Sequence, residues 1–175
     1  LYRIAVTIPS WKDAQNPIWS RMSNIYAGDQ YGMVFLPEIG DEVIVAFMGN
    51  DMDAPIVLGS AFSPKLPPHT AFKDDNFDKI LITRSGMKWA WNDDKLIHEI
   101  STPKGNKILI SEDEKQISII DQNQNKIEMN DSGINIESAT DIIIKATNSI
   151  KMEAVNIETT ASGINKVKGA LVQIN

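Results

Sequence analysis

Acidic side chains cluster on two short segments in the first half of the chain. Paired carboxylates are among the residue types that can act in catalysis or bind a metal ion. Asp51 and Asp53 stand two residues apart, and Glu38, Asp41 and Glu42 precede them. Such groups suit a metal site or glycoside cleavage, and the latter requires two carboxylates at a fixed separation across a cleft. Proximity in sequence does not indicate a cleft, and Asp51-Met52-Asp53 falls on a predicted hairpin turn, where acidic residues are common. We therefore favour a structural role for these carboxylates.

The other reactive residue types do not form a pattern either. His69 and His98 are the two histidines, and neither has a His, Cys or carboxylate cluster at ligand spacing. The chain has no cysteine, which excludes disulfides, zinc–thiolate sites and a thiol nucleophile. Serines such as Ser85 lack the context of a nucleophile elbow. We predict no catalytic residue, no cofactor and no metal site.

Trp89 and Trp91 alternate with Lys88 and Ala90, so both indole rings lie on one face of a predicted strand. They could stack on a sugar or a base, but a packing role is the favoured interpretation. The net charge is −6, with 17 Lys and Arg against 23 Asp and Glu, and the arginines are scattered. Non-specific nucleic-acid binding depends on clustered cations, so we expect no nucleic-acid partner.

Composition divides the chain into two halves. Every Phe, Trp and Tyr lies between Tyr2 and Trp91, whereas the second half is rich in Ile, Asn, Ser, Thr and charged residues. The proline-rich stretch between the halves is typical of a linker. We predict an all-β chain with a small barrel of the oligonucleotide/oligosaccharide-binding (OB) type at 1–62, a linker at 63–79 and a needle at 80–175.

The barrel prediction rests on short segments rich in Val, Ile and aromatic residues, separated by Gly, Pro, Asn and Asp. Five such strands in fewer than 70 residues, without a helical period, suit a small closed barrel. The turn signals between them are Ala27-Gly28-Asp29 and Gly49-Asn50-Asp51. The predicted strands are Tyr2–Ile8, Trp19–Ile25, Met33–Leu36, Glu42–Met48 and Ile56–Ala61.

Residues 131–175 repeat with a period of about eight. Apolar residues spaced two apart lie on one face of a strand, and most of these pairs recur eight residues later. Eight extended residues cover about 26 Å, and a triangle of that perimeter has sides below about 9 Å, too small when facing sheets lie ~10 Å apart. Three chains winding together can close such a coil, so the period predicts an intertwined homotrimeric β-helix. The predicted axial residues are Ile134, Ile136, Ile142, Ile144, Ile150, Met152, Ile164 and Val172.

The region 80–130 is less regular, and its interpretation stays open. Apolar pairs such as Ile108/Ile110 and Ile117/Ile119 are spaced by nine or ten residues rather than eight. Segments 111–115 and 122–125 are compatible with hairpin loops, so this region is either strand–turn–strand or part of the three-chain helix.

One long segment resembles a known family. Tyr26–Gly32, Phe35–Phe47 and Gly49–Ser60 together are similar to the signature of the VgrG family, the spikes of type VI secretion systems, which are related to phage tail spikes. The resemblance implies a non-enzymatic trimeric spike at the tip of a contractile injection apparatus, which punctures target membranes and carries effectors. A phage or extracellular contractile-particle spike is the alternative, and a glycan-degrading or glycan-binding module ranks lower.

The resemblance also implies partners. A PAAR-repeat protein is expected to dock on the blunt end formed by Val172, Gln173, Ile174 and Asn175. The tail tube and baseplate would bind an N-terminal hub domain, which we expect before Leu1 in a longer polypeptide, and effector cargo would travel with the spike. No signal peptide is visible, so we expect assembly in the bacterial cytoplasm and expulsion by the apparatus.

Overall fold

The computed structural model describes residues 2–11 and 16–174 and divides into two compact units, Leu1–Ile82 and Thr83–Asn175. Strands dominate both: the one helical element among the described residues is a 3-10 turn at Met48–Asn50. The all-β prediction is confirmed. Within the described ranges, no helix is long and apolar enough to cross a bilayer.

The first unit contains seven strands in its described part. A four-stranded sheet has the order β1-β2-β6-β5, in which β2 and β6 are parallel and the other two pairs are antiparallel. Strands β3 and β4 form a separate small hairpin, and β7 ends the unit. The strands are β1 Arg3–Val6, β2 Ile18–Met22, β3 Ala27–Gly28, β4 Tyr31–Gly32, β5 Val43–Phe47, β6 Pro55–Ser60 and β7 Asp78–Ile82.

Alternation along the central strands forms the small core of this unit. Val57 on β6 and Ser20 on β2 are fully buried, and Val6 on β1 is nearly so. The Ser20 hydroxyl donates to the carbonyl oxygen of Arg21 (3.2 Å), which meets the hydrogen-bonding requirement of a buried polar group. Trp11 stacks on Phe47, the last residue of β5, with ring centroids 5.9 Å apart, so an aromatic pair packs at this end of the strand.

Four of the five strands predicted in this unit are present within one to three residues of their predicted bounds, but the strand at Met33–Leu36 is wrong. The Met33 amide donates to the Tyr26 carbonyl (2.8 Å) and closes the β3–β4 hairpin. The chain then continues through Val34 and Phe35 without a paired neighbour, and these side chains are 78% and 51% exposed. High β propensity does not make a strand where no neighbouring edge is available.

The second unit is an antiparallel meander, in which each strand from β8 to β13 pairs with the next along the chain. The part of the open region from β8 to β12 is therefore strand–turn–strand, and segments 111–115 and 122–125 coincide with the hairpin loops 112–115 and 121–125 to within one residue. The strands are β8 Lys88–Asn92, β9 Ile97–Ser101, β10 Lys107–Ser111, β11 Gln116–Ile120, β12 Lys126–Asn130 and β13 Gly133–Glu137.

The meander repeats with a period of 19 residues. Lys88, Lys107 and Lys126 open β8, β10 and β12 at this spacing. Four-residue loops follow β8 and β10, and each ends in a left-handed residue, Leu96 (φ 52°) and Lys115 (φ 49°). Five-residue loops follow β9 and β11, with left-handed residues at their equivalent fourth positions, Gly105 (φ 94°) and Gln124 (φ 70°). Each repeat is thus two strands and two loops of fixed type.

Two asparagines join successive loops along one end of the meander. The Asn106 side-chain oxygen accepts from the Gln122 amide (3.0 Å), and 19 residues later the Asn125 side-chain oxygen accepts from the Ala139 amide (3.0 Å). Asn125 also accepts from the Ser138 hydroxyl (2.8 Å). These bonds fix the spacing of neighbouring loops and orient the chain where it leaves β13. Residues 138–174 then continue without a strand or helix.

Candidate functional site

The meander carries two continuous rows of mostly apolar side chains on one face. Residues directly opposite each other in the ladder lie on the same face of the sheet. The register therefore forms two rows that run across the strands, one on each side of the central residue of every strand. We call these 12 positions the two-row apolar face. One row consists of Trp91, His98, Ile110, Ile117, Met129 and Ile134, and the other of Trp89, Ile100, Ile108, Ile119, Ile127 and Ile136.

This face is exposed in the single chain. The isoleucines on β9 to β12 keep 39% to 45% of their surface, and those on β13 keep more, with Ile134 at 72% and Ile136 at 56%. A continuous apolar sheet face of this kind marks an interaction surface, because isolated exposed apolar residues are normal but aligned rows of them are not. The chemistry that the arrangement supports is burial against another apolar face.

The opposite face has the reverse pattern. Its central row contains three buried residues, Ala90, Leu109 and Ser118, at 8%, 4% and 2% exposure. Charged side chains lie beside them: the Glu99 carboxylate forms ion pairs with Lys88 Nζ at 3.0 Å and with Lys107 Nζ at 3.4 Å. Across β12 and β13 the ion pairs continue, since Lys126 Nζ lies 3.5 Å from Glu128 and 3.6 Å from Glu137. We call this side the polar face, because its ion-paired side chains suit solvent.

The carboxyl of Glu99 shows the electrostatic character of that face. Partial burial raises its pKa, but hydrogen bonds from Lys88 and Ser101 and the charges of Lys88 and Lys107 outweigh burial, so its pKa lies below the ordinary value of 4.5. Glu99 is therefore ionised at neutral pH and holds two cations from successive repeats.

An aromatic cluster occupies the β8 end of the two-row apolar face. The Trp91 and His98 rings stack with centroids 5.4 Å apart and an interplanar angle of 7°. The Trp89 ring lies 4.7 Å from that of Trp91, and its Nε1–H donates to His98 Nε2 (2.5 Å). The prediction that both indoles share a face is confirmed, and the imidazole of His98 also belongs to this cluster.

The structure brings together two of the predicted axial residues. Ile134 and Ile136 lie on β13, pair with Met129 and Ile127, and so extend the two-row apolar face. The others lie in the segment without strands, where their side chains are 49% to 89% exposed, and their axial role stays a prediction: Ile142, Ile144, Ile150, Met152, Ile164 and Val172. Of the proposed tip residues, Gln173 and Ile174 are also exposed, and Asn175 lies outside the described residues.

Carboxylates of the first unit accept hydrogen bonds from backbone amides. The Asp51 carboxylate accepts from the Asp53 amide (2.9 Å), and the Asp41 carboxylate accepts from the Glu38 amide (2.8 Å). Both are turn-stabilising bonds. In the part of the chain that the structure describes, no group of three His, Cys, Asp or Glu side chains is arranged to hold a metal ion.

Sequence reasoning did not identify the 19-residue repeat, and so it did not predict that Trp89, Ile100 and Ile108 belong to one face. The available signal was the equal spacing of Lys88, Lys107 and Lys126. The apolar positions vary between Trp, Ile and Met, which conceals the repetition when only apolar residues are aligned.

Comparison with known proteins identifies the first unit. Residues 1–62 match the family described as the type VI secretion system/phage-baseplate injector OB domain. The actin cross-linking toxin VgrG1 of Vibrio cholerae serotype O1 is 44% identical over 57 residues, which cover 32% of this chain and 5% of that protein.

Two further relatives carry the name of spike proteins. The type VI secretion system spike protein VgrG3 of Vibrio cholerae serotype O1 is 30% identical over 95 residues, covering 52% of this chain and 9% of that protein. VgrG1c of Pseudomonas aeruginosa is 42% identical over 45 residues, covering 26% and 6%. The chain thus spans less than a tenth of the length of these curated relatives. Residues 1–62 are therefore an injector OB domain, and the chain is similar to VgrG spike proteins of type VI secretion systems over 45 to 95 residues.

Proposed function

We propose that the chain is part of a trimeric spike of a type VI secretion system, in which three copies bury their two-row apolar faces against one another. The observation that carries this proposal is the exposure of that face, together with the charged and small residues on the opposite side. Burial of apolar surface drives such association at roughly 25 cal/mol per Å².

The number of copies is argued from residues 131–175. A period of eight is too short for one chain to wind a closed β-helix, whereas three chains can each supply one side of every turn. Pairing between chains also leaves no open strand edge, which a single chain would present to solvent. In this arrangement Ile142, Ile150 and Ile164 face the common axis.

The proposed function is mechanical and involves no catalysis by this chain. Sheath contraction would supply the work, and the spike would supply stiffness, since ladder hydrogen bonds and apolar contacts of three chains must break together. The outward face would then carry ion pairs such as Lys107–Glu99, which suit passage through an envelope because they offer no apolar patch. The spike would puncture the target membrane and carry effectors with it.

The relative named as an actin cross-linking toxin does not favour an enzymatic function here. The similarity covers 57 residues and 5% of that protein, so it gives no reason to assign cross-linking to this chain. A spike of a phage or an extracellular contractile particle is the second candidate, because the matched family covers phage baseplates as well as secretion systems.

The resemblance to VgrG spikes suggests the partners. A PAAR-repeat tip protein would cover the axial residues exposed at the C-terminal end, with Val172, Gln173, Ile174 and Asn175 as its docking residues. An N-terminal hub would bind the tail tube and baseplate. Assembly would occur in the bacterial cytoplasm, and contraction would expel the spike.

The test uses two neighbouring positions on β13. Ile136 lies on the two-row apolar face and Asn135 on the opposite face, and both are exposed in the single chain. Ile136→Lys should prevent trimer formation, because it places three ammonium groups in an apolar interface. Asn135→Lys should preserve the trimer, since Glu128 pairs with this position and Glu137 lies two residues along the same face.

The measurement is native mass by light scattering. Unmodified protein and Asn135→Lys should have three times the chain mass of 19.4 kDa, and Ile136→Lys should have the mass of one chain with its β-type circular dichroism intact. A monomeric unmodified protein would contradict the proposal. So would an Ile136→Lys trimer as stable as the parent.

A further inference from the structure

We propose that His98 makes the assembly pH-sensitive, so that protonation of its imidazole loosens the β8 end of the joined apolar faces. The inference rests on the proposed trimer, because the face that contains His98 is buried only when copies associate. Within the two-row apolar face, His98 is the one side chain that can change charge between pH 5 and 8.

The hydrogen bond at His98 requires the neutral ring. Trp89 Nε1–H is a donor only, and it donates to His98 Nε2, so this nitrogen must carry a lone pair. Protonation puts a hydrogen on the same atom, and two donors then face each other. The Trp89 ring must move away, which disturbs its contact with Trp91 at 4.7 Å.

Among the described residues, the strand side chains that face His98 are uncharged. The side chains that face His98 from β8, β9 and β10 are those of Trp89, Trp91, Ile100 and Ile110. Charged residues of the same strands, Lys88, Glu99 and Lys107, lie on the opposite face. The carboxylates nearest in sequence are those of Asp93, Asp94, Glu112 and Asp113 in the β8–β9 and β10–β11 loops, outside the two-row apolar face.

One contact favours the charged ring. Trp91 stacks on His98 with nearly parallel planes, and an aromatic face attracts a cation. In the single chain this attraction and solvent together accommodate an imidazolium at little cost. In the assembly, solvent is removed and the other copies present the same face, whose titratable group is again His98. The free-energy cost of burying three mutually repelling charges then exceeds the attraction between each imidazolium and its Trp91 ring.

The sign of the effect follows from these terms. Assembly removes solvent from His98 and disfavours the charged imidazole, so acidification should weaken the trimer. We expect association to be weaker by more than about tenfold at pH 5.5 than at pH 8.

The experiment measures the guanidinium midpoint of trimer dissociation by sedimentation velocity at pH 8 and pH 5.5. His98→Gln retains an acceptor for Trp89 and removes the titration. His69→Gln is the matched control, because His69 is the other histidine of the chain and lies exposed outside the meander. The midpoint should fall at pH 5.5 for the unmodified protein and for His69→Gln, but stay constant for His98→Gln.

Tryptophan emission supplies an independent readout. A histidine-dependent change in emission between pH 8 and 5.5, absent in His98→Gln, would support protonation within the aromatic cluster. If the guanidinium midpoint of His98→Gln falls between pH 8 and pH 5.5 as much as that of the unmodified protein, the inference is overturned but the proposed trimer is not. A protein that is monomeric already at pH 8 would overturn both the inference and the trimer on which it rests.

Discussion

Lys88 and Lys107, 19 residues apart in the chain, place their ammonium groups on the two oxygens of one carboxylate. Lys88 Nζ lies 3.0 Å from Glu99 Oε1, and Lys107 Nζ lies 3.4 Å from Glu99 Oε2. The bridge links β8, β9 and β10 across the polar face of the meander. It therefore ties the first repeat to the second at the position where each repeat begins.

The ion pairs of Glu99 predict a defined pH dependence. Because the folded-state pKa of Glu99 is depressed, its contribution is fully present above the unfolded value of 4.5 and is lost as the pH falls through the lower folded value. Glu99→Gln should lower the free energy of unfolding at pH 7 by less than about 1 kcal/mol, since solvent screens the pairs. The difference from the parent should vanish as the pH falls below the folded-state pKa.

Denaturant unfolding at pH 7 and at a series of lower pH values measures this difference. Glu112→Gln, in the β10–β11 loop, is the control and should behave as the parent throughout the series. A Glu99→Gln deficit that stays constant down to the acid unfolding of the parent would show that packing rather than charge is responsible.

Asn125 is predicted to fix the direction of the chain after β13. Its side chain accepts from the Ser138 hydroxyl (2.8 Å) and the Ala139 amide (3.0 Å), and its amide donates to Asp121 (2.8 Å). Asn125→Ala removes all three bonds and should cost about 1–3 kcal/mol in the free energy of unfolding. Asn123→Ala should cost less, because its exposed side chain donates only to Asp121 (3.1 Å). Urea midpoints compare the two variants, and equal losses would contradict this role.

Much of the fold was predictable because it depends on local patterns. Strands rich in β-branched and aromatic residues, such as β5 and β6, are recognisable without knowledge of their partners. The Met33–Leu36 prediction failed because propensity says nothing about whether an edge is available. The turn at Gly49-Asn50-Asp51 was predicted correctly, since Gly49 (φ 62°) and Asn50 (φ 60°) both adopt the left-handed conformation that these residues tolerate.

The site was less predictable, for a different reason. Which face of the meander is apolar follows from the register, and the register depends on loop length, which no single strand encodes. The role of His98 also required the pairing of β8 with β9, since Trp89 and His98 are nine residues apart in the chain. In the proposed trimer, the period-eight signal after Ser138 would concern pairing between chains, so the strands predicted there would need neighbours that one chain does not supply.

The octad segment has its own test in two adjacent residues. The period places Ile142 on the axis and Ile143 on the outer surface, whereas both are exposed in the single chain, at 54% and 75%. Ile142→Asp should abolish or strongly weaken the trimer, because three carboxylates would meet at the axis. Ile143→Asp should leave it unchanged. Native mass distinguishes the variants, and equal behaviour of the two would contradict the three-chain helix.

The 19-residue repeat predicts that the meander can be lengthened by a whole unit. Inserting a second copy of residues 107–125 after Asn125 places the new Lys107, Ile108 and Ile110 opposite Ile120, Ile119 and Ile117, as in the native β10–β11 pair. The two-row apolar face and the polar face both continue through the insert, so trimer mass should rise by three inserts with little change in the denaturant midpoint.

The control insert is one residue shorter. A copy of residues 108–125 shifts the register by one position, and a one-residue shift moves every side chain of a strand to the other face. The inserted Ile108 and Ile110 would then enter the polar face opposite Ile120 and Ser118 of β11, so this variant should lose stability and trimer together. If both inserts are tolerated equally, neither the repeat nor the two-row apolar face determines assembly. If the 19-residue insert fails as badly as the shorter one, the loops linked by Asn106 and Asn125 are not interchangeable.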